Sequence, residues 1–410
     1  MATFTQLSIL AAACLAGIAI ATASAVDMEW VRVSDNGKGF VLDDSSRPFV
    51  PSGFNRDRDH DDGALLEDYW DKQWDTIAPA FSKMKQLQAN TLRIHLLLGK
   101  FRQSPPQPNQ STLDKLARLL RLTEETGIYL DLTGLVCYHK QDISAWYDKR
   151  DEQQRWETQA AFWEAIANTC SESPAVFCYD LIIEPVVSGG ANKRDDWLGA
   201  GFGDKFFVHF IALETKDRAR YDIACEWIGK LVAALRKHDQ RHLITVGLVP
   251  WSLDRPSLTS GFVSDRIADK LDFIAMHICP KSGKLPDALR TVKGMAVVGK
   301  PVVIEEIFPF KCNAEELGKY IDDSRSHATG WTGEWLLLGA HALRKPFPML
   351  ESRLAGTVSG KYVANPGALN VPCREQNSGT TTSLPFKTDQ QNRLRQSTFQ
   401  SPLTCKRHHA

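Results

Sequence analysis

"AVFCYDLIIEP", residues 175–185, decides how this chain reads. The run from Ala175 to Ile183 is short and almost wholly apolar, as a strand buried on both faces requires. It finishes on a lone carboxylate, Glu184, and then Pro185. A carboxylate at the end of a buried strand is costly unless it is paired or put to use. The residue before it, Ile183, has no polar atom to offer a neighbouring site.

Working outward, strand and helix alternate. Strands are expected near 47–55, 90–98, 128–134, 175–183, 242–249, 272–278, 301–306 and 329–338. Helices are expected between them. "WDTIAPAFSKMKQLQ" sets Ile77, Phe81 and Met84 on one face. "STLDKLARLLRLTEETG" has Ser111 as its expected N-cap, Asp114 three residues on, and Gly127 as its stop. "EQQRWETQAAFWEAIANTC" and "ARYDIACEWIGKLVAALRKHD" are also helical, and "CNAEELGKYIDDSR" opens with an Asn313/Glu316 capping box. Strands separated by helices pair in parallel, because parallel neighbours need a crossover. The α/β class follows, and the pattern fits a single (β/α)8 TIM barrel. An open doubly wound sheet is the alternative, but no GxGxxG follows the first strand. Residues 26–46 read as a short N-terminal β-hairpin over the barrel's N-terminal end, and 26–345 as the barrel domain. Residues 346–410 are polar and without period, which predicts a disordered, irregular C-terminal tail.

Composition narrows the function. The 410 residues are 43% hydrophobic, with 49 Lys+Arg balanced by 49 Asp+Glu. That balance gives no reason to expect nucleic acid or an anionic membrane as partner. "ILAAACLAGIAIA" followed by "ASA" at 23–25 reads as a signal peptide over residues 1–25, although "MATFTQLS" lacks a basic residue. The expected mature protein is secreted or periplasmic, monomeric and free of the membrane. The nine cysteines show no metal-ligand spacing. Export permits disulfides, and Cys170 and Cys178 flank a short loop that could join them; buried free thiols are the alternative.

Barrel active sites form at the C-terminal ends of the strands. Glu184 ends the fourth strand and Glu305-Glu306 the seventh; Arg93 and His95 lie on the second and His277 on the sixth. Strand alternation sends Glu305 and Glu306 to opposite sides, so one of them is expected to face the site. Trp251, just past the fifth strand, Trp331 by the eighth, and Trp197 in the loop after Glu184 are candidate flat apolar faces beside such a site.

In "GKGFVLDDSSRPFVPSGFN", "NTLRIH", "YDLIIEP", "MHICP" and "KPVVIEE", in that order and spacing, the chain resembles glycoside hydrolase family 5, the cellulase and mannanase group, over roughly residues 30–340. The resemblance implies a retaining hydrolase of a β-linked polysaccharide that needs no cofactor or metal. It implies Glu184 as acid/base, Glu306 as nucleophile, Arg93 as the group orienting Glu306, and His277 in the sugar site. Retaining hydrolysis needs two carboxyl groups about 5–5.5 Å apart. The chain departs from the family's pattern at Ile183, where the family has Asn bonding the sugar 2-hydroxyl. It departs again at Cys279, often Tyr, and at Thr133, often His. These departures leave a second expectation: a catalytically silent, glycan-binding barrel.

Overall fold

The computed structural model describes residues 28–334 except 56–69, 71–72, 189–193, 200, 203–204, 254–258 and 309–310. The expected signal peptide and the expected tail lie outside the described residues. Strands β1 (Ser52–Asn55), β2 (Thr91–Leu97), β3 (Tyr129–Val136), β4 (Val176–Ile183), β5 (Leu243–Leu248), β6 (Ile274–His277), β7 (Val302–Ile307) and β8 (Gly330–Glu334) form one closed barrel. Every neighbouring pair is parallel, and β8 closes on β1.

The longer helices are α1 (Trp74–Gln86), α2 (Gln110–Thr126), α3 (Glu152–Cys170), α4 (Arg220–Leu235), α5 (Leu285–Ala296) and α6 (Ala314–Ser324). Ile77, Phe81 and Met84 are buried on α1, as their spacing implies. Asn313 and Glu316 form the expected capping box on α6: the Glu316 N–H donates to Asn313 Oδ1 at 2.8 Å and the Asn313 N–H to Glu316 Oε2 at 3.2 Å. Gly127 ends α2 in the left-handed region, φ +67°, where lack of a Cβ removes the steric cost. The start of α2 differs from expectation. Asn109 takes the cap position without a side-chain capping bond, its Nδ2 donating instead to the Lys100 carbonyl at 2.8 Å, and Ser111 lies inside the first turn.

Residues 47–55 are two strands rather than one. Pro51 interrupts them, and a residue without an N–H cannot donate to a ladder. Pro48–Phe49 therefore pairs antiparallel with Phe40–Leu42, which pairs with Val31–Val33. The expected hairpin is thus a three-stranded sheet, and it seals the N-terminal end of the barrel. Phe40 meets Phe177 edge-on at 5.1 Å and Phe273 at 5.3 Å; Phe49 meets Tyr129 at 4.9 Å. Cys170 and Cys178 are buried free thiols, so the possible disulfide is not formed.

The wall of the barrel has two chemically distinct faces. On β2, Leu92, Ile94 and Leu96 point into the apolar layer shared with the helices, whereas Arg93 and His95 are buried polar groups. A strand alternates its side chains across the sheet, so this sequence places polarity inside the barrel.

A second buried polar group fastens β4 to the α4–β5 turn. Asp239 accepts hydrogen bonds from the Tyr179 hydroxyl at 2.6 Å, from the Arg241 and His242 N–H groups at 2.9 and 3.0 Å, and from His242 Nδ1. Burial opposes its ionisation, but the bonds from His242 and Tyr179 outweigh it and hold the carboxyl well below the usual carboxylate range. A folded pKa below the unfolded value means that the native state binds fewer protons. The stabilisation is then present above about pH 4 and is lost as pH falls through the folded pKa. Asp239→Asn is expected to lower stability by about 1–3 kcal/mol at neutral pH. In urea titrations the gap from wild type should close as the pH falls below about 4. A gap that stays constant would mean that the ionised form carries none of it.

Candidate active site

The inner face of the barrel gathers charge where β2, β3, β4, β6 and β7 reach its axis. Arg93 on β2 is wholly buried and is the centre of the group. Its NH2 donates to Asp180 Oδ2 at 3.1 Å and its NH1 to Glu306 Oε2 at 3.2 Å, while its Nε lies 3.8 Å from Glu305 Oε2. Asp180, on β4, is further held by Thr133 Oγ1 at 2.9 Å and by the Gly247 N–H at 2.7 Å. Thr133 thus serves as a donor to a buried carboxylate. His277 ends β6; its Nδ1 lies 3.3 Å from Glu184 Oε1 and 3.4 Å from Glu306 Oε2, and its Nε2 lies 3.5 Å from Glu305 Oε2.

Both glutamates of β7 face this group, contrary to the expectation from alternation. Ile304 pairs with Trp331 and Ile307 with Gly333, so β7 carries one residue more than β8 over that stretch. Such a β-bulge resets the alternation. Ile304 and Ile307 both point to the helical layer, and the two residues between them turn inward. The Glu305 carbonyl, left beside the irregularity, accepts from Asn55 Nδ2 at 3.2 Å and from Thr332 Oγ1.

The electrostatics follow from crowding. Burial alone would lower the Arg93 pKa, but Glu305, Asp180, Glu306 and Asp131 outweigh it and hold it above its ordinary value. Burial also works against the His277 imidazolium, yet Glu306, Glu184 and Glu305 raise its pKa to about 10. Asp180 is pushed up to about 7 by burial and then by Glu305. Asp131 is held far above the carboxylate range by burial and Glu305, whereas Arg93, His277 and Asp131 overcome burial to lower Glu305. Between Asp131 and Glu305 the proton therefore rests on Asp131, the one farther from the cations. Asp180, His277 and Glu305 bring ligand atoms within 4.8 Å of one another, as do Asp131, Cys178 and Glu305. Neither trio suits a metal: Arg93 already places a fixed cation against the first, and burial keeps the Cys178 thiol protonated in the second.

Of the carboxylates in contact with Arg93 or His277, Glu184 and Glu306 reach the surface, with side chains 18% and 17% exposed; Asp180 and Glu305 are at 0%. Because both exposed groups touch one nitrogen, their separation is bounded by the sum of the two contact distances. That bound admits the spacing of about 5–5.5 Å used in retaining hydrolysis and excludes the wide end, about 9.5 Å, of the inverting range. Glu184 itself is strained. Its φ is +45°, unusual for a residue other than Gly and more so ahead of proline. Its N–H donates to the Gly247 carbonyl at 2.9 Å and its carbonyl accepts from the His209 N–H at 3.2 Å. The chain leaves the barrel wall at this point, and Pro185–Val187 pairs in parallel with His209–Ala212.

The remaining sequence candidates separate. Trp251 lies just past β5 and is half-buried. Trp331 is not a cleft residue: it is 3% exposed, lies in the apolar layer under α6, and donates from Nε1 to Ser324 Oγ at 2.9 Å. Trp197 stacks on the Arg155 guanidinium at 4.3 Å. Ile183 joins Leu97, Val136 and Tyr138 in an apolar cluster at the mouth, covered by Phe207; the Tyr138 hydroxyl bonds His95 Nδ1. Burial, followed by the charge of Glu306, pushes the Cys279 thiol up to about 12, so it stays neutral. Asp180 and Asp131 were not singled out from sequence as site members, and Glu305 was expected to face the site only in place of Glu306. The signal for Asp131 was its alternation with Thr133 on β3, and for Asp180 a lone carboxylate within the apolar run of β4.

A family model described as cellulase (glycosyl hydrolase family 5) matches residues 42–277, more than half of the chain. A sequence search of curated proteins gives no significant match. Among solved structures, the exo-β-1,4-mannosidase Op5Man5 from Opitutaceae bacterium strain TAV5 superposes with a TM-score of 0.56 at 17% identity, over 74% of this chain and 54% of that one. This chain thus spans about half of the mannosidase. The endo-1,4-β-mannanase from Rhizomucor miehei gives 0.51 at 17% identity over 75% and 90% of the two chains. The β-1,4-mannanase from the sea hare Aplysia kurodai gives 0.54 at 15% over 76% and 94%. At these identities the likeness is one of fold.

The apolar surroundings of Ile183 generate a prediction. Asn at this position would bury an amide among Leu97, Val136 and Tyr138. Ile183→Asn is therefore expected to cost about 1–3 kcal/mol of stability, read from chemical denaturation. Unchanged stability would show that the side chain is not enclosed.

Proposed function

The chain belongs to glycosyl hydrolase family 5, and from that premise we propose that it hydrolyses a β-linked polysaccharide by the retaining mechanism, with Glu306 as nucleophile and Glu184 as acid/base. One observation carries the reading. Of the carboxylates on Arg93 and His277, the two that reach solvent end β4 and β7 and share the His277 Nδ1. The roles divide by their partners. Among the described residues Arg93 contacts Glu306 and not Glu184. A guanidinium favours the ionised carboxylate, which is the form that attacks. In the first step a Glu306 oxygen bonds to the anomeric carbon as the glycosidic bond breaks, and Glu184 gives its proton to the departing oxygen. In the second, Glu184 takes a proton from water, whose oxygen displaces Glu306.

β-1,4-Mannan is the first substrate to try, because the fold neighbours named above are mannosidases and mannanases; cellulose-type glucans come next. Residues 1–25, read as a signal peptide, support action outside the cytoplasm. The second reading, a silent glycan-binding barrel, is favoured by one feature: Ile183 lies in an apolar cluster where the family has an amide.

A panel of β-mannans and β-glucans separates the two readings. Under the hydrolase reading, Glu306→Ala should reduce kcat by at least about 10³-fold, the loss typical of removing a group that acts as part of a unit. Glu184→Ala should regain activity with azide on a substrate bearing an activated leaving group. Full turnover in Glu306→Ala would overturn the assignment. Binding without cleavage of any glycan by the wild type would establish the silent barrel.

A further inference from the structure

Glu305 occupies a position the proposed reaction does not use, and it is the least conventional group in the barrel. It has no exposed surface, and no donor meets its carboxylate at ordinary hydrogen-bond geometry. It is instead set between the Arg93 guanidinium and the His277 ring: its Oε2 lies 3.8 Å from Arg93 Nε and 3.5 Å from His277 Nε2. Those two groups are themselves adjacent, with Arg93 NH2 3.3 Å from His277 Nε2. A guanidinium nitrogen can only donate. If His277 were neutral with Nε2 bare, Arg93 could donate to it, but Glu305 would then face a lone pair. If Nε2 carries its proton, Glu305 attracts it and offsets the repulsion from Arg93. At the other nitrogen Glu184 and Glu306 both present oxygens to Nδ1. Glu306, ionised on Arg93, is an acceptor at Nδ1 whether or not Glu184 carries its proton, and Glu305 is one at Nε2, so the ring that suits both donates at both.

We propose that Glu305 is a positioning residue, a buried counter-charge that fixes His277 as a donor at both ring nitrogens and so keeps an N–H between Glu184 and Glu306. The groups facing the ring come from every side. Arg93 stands on β2, Asp180 on β4 with Glu184 just beyond it, and Glu305 and Glu306 on β7; Asp131 on β3 stands behind Glu305 and is protonated. On β5 the ring meets bare backbone, since a Cβ at Gly247 would come within 2.8 Å of His277 Nε2. The ring therefore has no room to turn away from Glu305. The direction of its titration agrees with this geometry. The bulge in β7 is what lets Glu305 act inward while Glu306 remains at the surface. The kinetic part of this inference rests on the hydrolase reading; the state of the ring does not.

The test is ¹⁵N NMR of histidine-labelled full-length protein, with His277 assigned by its loss in His277→Gln. In wild type at pH 7 both ring nitrogens should carry protons. Glu305→Gln, which keeps the shape and removes the charge, should lower the His277 titration midpoint by about 1–3 pH units. Glu305→Asp should restore much of the shift, which a purely space-filling role would not. In a substrate assay the alkaline limb of kcat/KM should move with it. A neutral ring in wild type at pH 7, or an unmoved midpoint in Glu305→Gln, overturns the proposal. If Glu305→Gln does not fold, the wild-type spectrum and Glu305→Asp still decide. A charged His277 in a protein that cleaves no glycan would defeat the hydrolase reading and leave this one standing. Cleavage with a neutral His277 would do the reverse.

Discussion

The burial of Arg93 constrains everything around the site. Taking a guanidinium fully out of water is unfavourable by several kcal/mol unless acceptors surround it. The barrel meets that demand with carboxylates from two other strands: Asp180 on β4, and Glu305 and Glu306 on β7. Once they are there, each needs its own support. Thr133 and the Gly247 N–H serve Asp180, His277 serves Glu305 and Glu306, and Asp131 takes up a proton to avoid one more negative charge. Removing one member of a buried ionic set leaves the rest uncompensated, at about 3–5 kcal/mol. The arrangement is therefore held as a whole, and the two carboxylates at its surface inherit its rigidity.

Much of this was legible in the amino-acid sequence because it rests on period and on strand-end chemistry. The alternation of strands and helices specified the barrel. Glu184, Glu306, Arg93 and His277 stood out as charges in apolar runs, and the structure brings all four together. What was missed has identifiable physical causes. The split of residues 47–55 depends on where Pro51 removes a donor, and on a sheet partner supplied by Phe40–Leu42. The inward turn of both Glu305 and Glu306 depends on a bulge set by the register with β8, which no single-strand pattern encodes. Trp331 looked like a sugar platform because it is a tryptophan beside the eighth strand, but it lies at the start of that strand and its side chain faces α6.

The same contrast appears around Glu184. Its left-handed backbone would be unfavourable alone, by about 1–3 kcal/mol. It is held by a carbonyl from β5 and an N–H from the segment at His209. Strain supported from two sides fixes the carboxylate's direction more tightly than a relaxed strand end could. Ile183 immediately before it belongs to an apolar cluster with its own logic, closing the mouth over β2, β3 and β4. The neighbouring positions of one motif thus answer to different demands: one to charge at the axis, the other to packing at the rim.

The small sheet under the barrel has a further consequence. Phe40 and Phe49 stop the N-terminal end with aromatic rings set against Phe177, Phe273 and Tyr129. At that end the ionisable interior is thus walled off by aromatic rings. Toward the other end, among the described carboxylates in contact with Arg93 or His277, Glu184 and Glu306 are the ones that meet water, with the imidazole joining them. Closing the floor with phenylalanine thus gives the buried charge a direction along the barrel, bounded by apolar rings at one end and meeting water at two carboxylates toward the other.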